Sequence, residues 1–237
     1  IFICVPTPLK DDLTLDPSIV FSVIEEIVRH KIDSLVVLKS TILPNFIKDI
    51  NKKIEKFIYN PEFLREKHAD EDFINSSLIV FGGEEKEIKE MKSFYENNTK
   101  CISKDYIETD IISASLIKYT INSFLATKVI FFNEVREIFD KSGANETWSN
   151  FIKALAHDKR IGYSHMQVPG PDERLGFGGA CFPKDTNAIY NYSKDIEAEF
   201  KLLKKVISLN NYLRAEYNEL FDRELEQNID FKNSLDE

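Results

Sequence analysis

The chain has 237 residues, 43% hydrophobic and 30% charged, with a formal net charge of −9. That is enough apolar chain for a proper core, or for two small ones joined by a shared element, and it reads as an ordinary globular protein. The negative balance, with no Lys/Arg stripe to offset it, disfavours a nucleic-acid role and leaves any anionic substrate to be held by a few placed cations.

The cysteines Cys4, Cys101 and Cys181 are odd in number and lack disulfide-framework or metal-ligand spacing. This fits free thiols in a reducing compartment, with the cytoplasm as default and no metal site expected. The opening Ile-Phe-Ile-Cys-Val has no Met and no charged leader, and reads as a strand already in progress inside a domain.

Up to about residue 100, short β-branched runs alternate with amphipathic segments, the pattern of a parallel sheet covered by helices. The runs Ile1 to Val5, Leu35 to Leu38, Phe57 to Tyr59 and Leu78 to Phe81 are predicted strands, the last stopping at Gly82-Gly83. Asp16-Pro17 marks a helix start, after which Val20, Val23, Ile24, Ile27 and Val28 keep helical spacing on one face. Glu84 to Asn97 is a second, more solvated helix.

From about Thr109 only helices are predicted, first a long one to about Lys141, stopped by Ser142-Gly143. Between Ile111 and Thr127 its single charge is Lys118, so it should be buried on nearly all sides, in a core or against a second subunit. Lys118 and Asn122 in mid-stretch, and frequent Ser and Thr, argue against a membrane span. Asn145 to His157 is a shorter helix, residues 158 to 180 a Gly- and Pro-rich loop, and helix resumes from about Pro183. The polar tail after Gln227 is expected to fray. The domains are thus 1–100, the latter part of a Rossmann-type sheet, and 101–237, all helical.

Chemistry concentrates in Gly176-Phe177-Gly178-Gly179-Ala180-Cys181-Phe182-Pro183-Lys184-Asp185, where a glycine-rich loop runs into a helix. Unpaired N–H groups at a helix start favour a thiolate, and glycines let a ligand approach the main chain. Asp185, four residues on, can act as a base or position water. A buried structural Cys beside a tight turn is the blander reading. Lys118 and Asn122 lie one turn apart. Lys118 is either a buried cation with a task or a lysine whose head reaches solvent. Asn60-Pro61-Glu62-Phe63-Leu64-Arg65-Glu66 follows a strand, so its carboxylates could face the crevice at the sheet's carboxyl end.

In order along the chain, Val5-Pro6-Thr7-Pro8, Lys39-Ser40-Thr41, Asn60 to Glu66, Lys118-Tyr119 with Asn122 and Phe124-Leu125-Ala126, Asn133-Glu134, Asp158 with Arg160-Ile161-Gly162, and Gly176 to Asp185 resemble the UDP-glucose/GDP-mannose dehydrogenase family. The resemblance implies a remnant of a Rossmann-type parallel sheet followed by a helical central domain like that of 6-phosphogluconate dehydrogenase. It also implies an NAD-dependent, four-electron oxidation of a nucleotide sugar's C6 alcohol to a carboxylate. In that scheme Cys181 attacks the C6 aldehyde, and the thiohemiacetal is oxidised to a thioester that water hydrolyses. Lys118 and Asn122 stabilise the oxyanion, while Asp185, Thr41 and Glu62 hold water and relay protons.

The resemblance further places Glu66 and the main chain of Phe63, Leu64 and Arg65 along the substrate and nicotinamide site. Pro6, Thr7, Thr41 and Cys181 would meet NAD, and Phe177, Gly178 and Gly179 would lie against the sugar nucleotide. Arg160 would reach a neighbour's substrate across a homodimer packed through the long helix. Phe182-Pro183-Lys184-Asp185 favours the UDP-glucose or GDP-mannose branch, and UDP-glucose is preferred. Asn45, Lys67 and Leu78 are local departures, whereas the absence of Gly-x-Gly-x-x-Gly and the lack of the family's C-terminal nucleotide domain make an incomplete fragment with little or no activity the expectation. A non-catalytic dimerisation module that has lost NAD binding is the rival.

Overall fold

A computed structural model describes residues 1–65 and 68–232. It divides into two compact units, Ile1–Pro8 with Leu15–Thr120, and Leu9–Thr14 with Ile121–Glu237.

The first unit is a five-stranded sheet with strands in sequence order, β1 (Phe2–Ile3), β2 (Val36–Leu38), β3 (Phe57–Tyr59), β4 (Ile79–Gly83) and β5 (Tyr106–Thr109). Its helices are α1 (Ser18–Arg29), α2 (Pro44–Lys53), α3 (Ala69–Ile74) and α4 (Glu85–Asn98). In β2 and β3 every residue is buried, as expected where helices cover both faces of a sheet. On α1 the buried residues are Val20, Ile24 and Ile27, while Val28 lies outside the buried stripe at 46% exposure. One core cluster joins Val37, Ile58, Ile79 and Phe81 to Ile88, Met91 and Tyr95 of α4. Burying each such aliphatic side chain contributes about 1.5–3 kcal/mol.

Three features of the sheet differ from the sequence reading. The sheet is parallel between β1 and β2, β2 and β3, and β4 and β5, but β4 runs antiparallel to β3. The chain after β3 re-enters the sheet from the same end, whereas α1, α2 and α4 each make a full crossover to a parallel partner. β5 itself was not anticipated, because Tyr106-Ile107-Glu108-Thr109 carries too short an apolar run; as an edge strand it leaves Ile107 and Glu108 exposed. β4 also continues through Gly82 and Gly83 instead of stopping there. A Cβ on Gly82 would lie 2.6 Å from Ala114 Cβ, and one on Gly83 2.7 Å from Ile58 Cδ1, so these glycines admit close packing and do not end the strand.

The long helix α5 (Ile111–Lys141) starts behind Asp110, whose carboxylate accepts from the N–H groups of Ile112 and Ser113 at 2.8 and 2.9 Å. It is not buried all round: Phe124, Phe131 and Ile138 are 63%, 57% and 67% exposed. The second unit adds α6 (Trp148–Ala156), α7 (Phe182–Asp195), α8 (Lys201–Arg214) and α9 (Asp222–Leu225). Phe132, Trp148, Ile152, Met166 and Val168 form a core cluster there.

The predicted continuous helix after Pro183 is broken. The chain leaves α7 through Glu197 at φ 58°, and Ser193 Oγ accepts the N–H of Phe200 at 3.1 Å. The expected frayed tail is tied down as far as it is described. Leu9 N–H donates to the Gln227 carbonyl at 3.1 Å, Asn228 donates to the Leu9 carbonyl at 2.8 Å, and Ile229 and Phe231 are buried. Among the described residues no helix is long and apolar enough to cross a membrane.

Candidate functional site

In the first unit the candidate residues sit where β1, β2 and β3 end. The turn after β1 is stitched to the turn after β2: Thr7 donates to the Thr41 carbonyl at 2.9 Å and Ser40 to the Val5 carbonyl at 2.7 Å. Thr7 is buried, Thr41 half-buried and Pro6 exposed.

Beneath them Lys39 forms an ion pair with Glu62 and donates to Asn60 Oδ1 at 2.7 Å and Tyr95 Oη at 3.1 Å. Burial works against the Lys39 charge, but Glu62 and Tyr95 outweigh it and raise the pKa above the ordinary lysine value. Lys39 has no role in the sequence reading; its only signal was its place directly before Ser40-Thr41.

After Glu62, Phe63 and Leu64 are half-buried. Arg65 is exposed and forks onto Asp72 at 3.0 and 2.7 Å, which holds that carboxyl at about 2. Glu66, expected at the substrate and cofactor, lies outside the described residues, as does Lys67. Lys118 is 8% exposed, so its ammonium is inside. It donates to the Glu62 carbonyl at 2.6 Å and stands 5.2 Å from the centre of the Phe63 ring.

In the second unit Cys181 is the N-cap of α7, and its side chain is exposed. Pro183 fills the first turn, and Asp185 N–H returns to the Cys181 carbonyl at 2.8 Å. Asp185 is 1% exposed. Asn122 of α5 donates to one of its oxygens at 2.5 Å and Lys184 to the other at 2.5 Å. The Asn122 amide is thus held against Asp185, a pairing the sequence reading did not foresee. Lys184 carries no distinct signal in the sequence, because adjacent opposite charges in a first turn usually read as surface features.

The glycines have distinct causes. A Cβ on Gly176, at φ 71°, would lie 2.6 Å from Asn210 Oδ1, and one on Gly178 would fall on the Arg214 guanidinium and the Glu224 carboxylate. These two therefore admit α8 and the segment after it. Gly179, at φ 77°, has nothing within 4 Å of a Cβ and is the one that leaves room for a ligand. Phe177 is buried.

Arg160, with its side chain 89% exposed, is forked onto Asp158. Its loop is fastened by Lys128 of α5, which donates to the carbonyls of Ile161 and Gly162 at 2.9 and 3.0 Å. Burial lowers the Lys128 pKa.

The Asp185 arrangement predicts that Lys184→Met destabilises the protein by about 3–5 kcal/mol, because a buried carboxylate loses its cation. Lys184→Met combined with Asp185→Leu should cost less than the single change. Urea unfolding measures both, and a single change costing under about 1 kcal/mol would show that the pair is immaterial.

Two models of one family match this chain. Residues 1–99 match the UDP-glucose/GDP-mannose dehydrogenase family NAD binding domain, and residues 112–212 match its central domain. A UDP-glucose 6-dehydrogenase of Rickettsia felis is 38% identical over 218 residues, covering 89% of this chain and 47% of that protein. The enzyme YwqF of Bacillus subtilis, with the same name, is 36% identical over 230 residues, covering 91% of this chain and 49% of that protein. The structure of a UDP-glucose dehydrogenase from Pyrobaculum islandicum superposes with a TM-score of 0.76 at 33% identity, covering 89% of this chain and 50% of the other. The chain spans about half the length of the curated relatives it matches. With both domain models matched in order on a Rossmann-like sheet followed by helices, the chain belongs to the UDP-glucose/GDP-mannose dehydrogenase family.

Proposed function

We propose that this chain carries the catalytic residues of an NAD-dependent UDP-glucose 6-dehydrogenase and acts in the cytoplasm. The observation that supports this most is the exposed Cys181 at the start of α7, one turn ahead of a buried Asp185 that Asn122 and Lys184 grip. A structural cysteine needs neither exposure nor a buried carboxylate beside it.

The turns after β1 and β2 suit the nicotinamide end of a dinucleotide: Pro6 is exposed there, and the hydroxyl of Thr7 fixes the Thr41 backbone. Two NAD molecules, bound in turn, would each accept one hydride. In this reading Pro6, Thr7, Thr41, Glu66 and Cys181 meet the cofactor. Residues 1–100 form the latter part of its domain, to which β5 adds an edge strand, and the rest of 101–237 is the helical domain.

The C6 alcohol gives up a hydride and a proton to become an aldehyde, and the Cys181 thiolate adds to that carbon. Lys118 and Asn122 stabilise the resulting oxyanion. A second hydride leaves the thiohemiacetal, giving a thioester. Water, activated by Asp185 with Thr41 and Glu62 relaying protons, then adds to the acyl carbon, expels the thiolate and leaves the carboxylate. Glu66, the main chain of Phe63 to Arg65, Phe177, Gly178 and Gly179 orient the sugar nucleotide.

The partner is a second copy of the chain. Phe124, Phe131 and Ile138 recur every seven residues on α5, an exposed apolar seam of the kind that pairs helices, and Arg160 would then reach the neighbour's substrate.

Two experiments test this. These 237 residues contain no Gly-x-Gly-x-x-Gly to grip the pyrophosphate, so alone they should reduce NAD at most weakly with UDP-glucose. A protein containing them together with that turn and the second nucleotide domain should form two NADH per sugar, and Cys181→Ser should abolish the second. Strong turnover by the 237 residues, or an unaffected Cys181→Ser protein, contradicts the reading. Light scattering should give a dimer that Phe131→Glu converts to monomer, and a monomeric wild type rules out the seam.

A further inference from the structure

Residues 175–179 have no regular structure, yet the main-chain N–H groups of Leu175, Gly176, Phe177 and Gly179 all donate to side chains. Leu175 donates to Tyr217 Oη at 2.9 Å, Gly176 to Asn133 Oδ1 at 3.1 Å, Phe177 to Asn210 Oδ1 at 2.6 Å and Gly179 to Glu224 Oε1 at 2.9 Å. Asn210 also donates back to the Phe177 carbonyl at 3.0 Å.

Glu224 and Arg214 are both fully buried and pair at 2.9 Å. Arg214 reaches Asp172, at the loop's other end, at 2.6 Å. The second Glu224 oxygen accepts from Phe221 N–H at 2.9 Å, which fixes the start of α9. Arg214 and Glu224 lie beyond residue 212, where the match to the family's central domain ends.

We propose that Glu224, with Arg214 and Asn210, is a clamp of positioning residues that sets the Gly176–Gly179 loop and through it the Cys181 thiol. The lever is short. Gly179, held by Glu224, is two residues from Cys181, and its φ of 77° aims the chain into α7. A fully buried ion pair is weak as a source of net stability but strong as a fixer of geometry, since neither charge can move without stranding the other. The loop's backbone sits so close to the pair that Gly178 admits no side chain. The clamp deepens the reading of Cys181 as nucleophile and rests on it for its consequence in catalysis.

The test uses the 237-residue chain and the rate of Cys181 alkylation by iodoacetamide, read by mass spectrometry well below each variant's melting temperature, with Cys4 as internal control. Glu224→Ala should slow Cys181 by about fivefold or more while leaving Cys4 unchanged; tenfold would correspond to one unit in thiol pKa. Glu224→Gln keeps an oxygen for the Gly179 N–H without the charge and should stay within about twofold of wild type. Asn210→Asp keeps the acceptor for Phe177, loses the return bond, and provides a milder reading should Glu224→Ala not fold; a slowing of about twofold is expected.

A Cys181 rate that is unchanged or faster in the folded variants overturns the clamp, however far their melting temperatures fall. A wild-type Cys181 no faster than Cys4 instead counts against the nucleophile. The clamp would then still be judged by whether Glu224→Ala slows Cys181 and Glu224→Gln restores it.

Discussion

The constraint on which the second unit depends is that a largely buried stretch of irregular backbone must find partners for its N–H groups. Between Leu175 and Gly179 those partners are Tyr217, Asn133, Asn210 and Glu224, drawn from α5, α8 and the residues after α8. Close approach of those side chains removes room for any Cβ at Gly176 and Gly178. The loop is thereby delivered to the first turn of α7 in one conformation, with Cys181 outside and Asp185 inside. Gly179, free of such contacts, remains the open face.

A second constraint is the isolation of charge. α5 carries only Lys118 between residues 111 and 127, and that ammonium is answered by a carbonyl and an aromatic face. One turn on, Asn122 supplies a neutral donor to the carboxylate of Asp185. Each of these two donors on α5 is thus engaged by an oxygen of its own unit, the Glu62 carbonyl for Lys118 and the Asp185 carboxylate for Asn122. At the carboxyl end of β3, Asn60 and Tyr95 hold Lys39, which in turn pairs with Glu62.

Much of this was legible because it rests on local chemistry. Asp16 before Pro17 does start α1, its carboxylate accepting Ser18 N–H at 2.9 Å, and α5 ends at Lys141 as read from Ser142-Gly143. The site motifs were recognisable as an ordered set spread through both units. What escaped was decided by partners distant in sequence. β5 is defined by its pairing with β4, and Gly82 stays in β4 because Ala114 lies over it. Glu224 has no signal of its own in the sequence, because its fully buried partner Arg214 lies ten positions away. The exposed seam on α5 was anticipated as burial, since an uncharged face reads alike whether the chain or a second copy covers it.

The central claim is that Cys181 carries the sugar covalently, and the most direct measurement is the mass of the trapped intermediate. In a protein containing these residues with complete nucleotide sites, Asp185→Asn should slow thioester hydrolysis. Acid quenching with NAD and UDP-glucose should then leave one UDP-glucuronyl adduct on Cys181 that hydroxylamine removes. An adduct on another residue, or full turnover by Cys181→Ala with no adduct at all, would contradict the account.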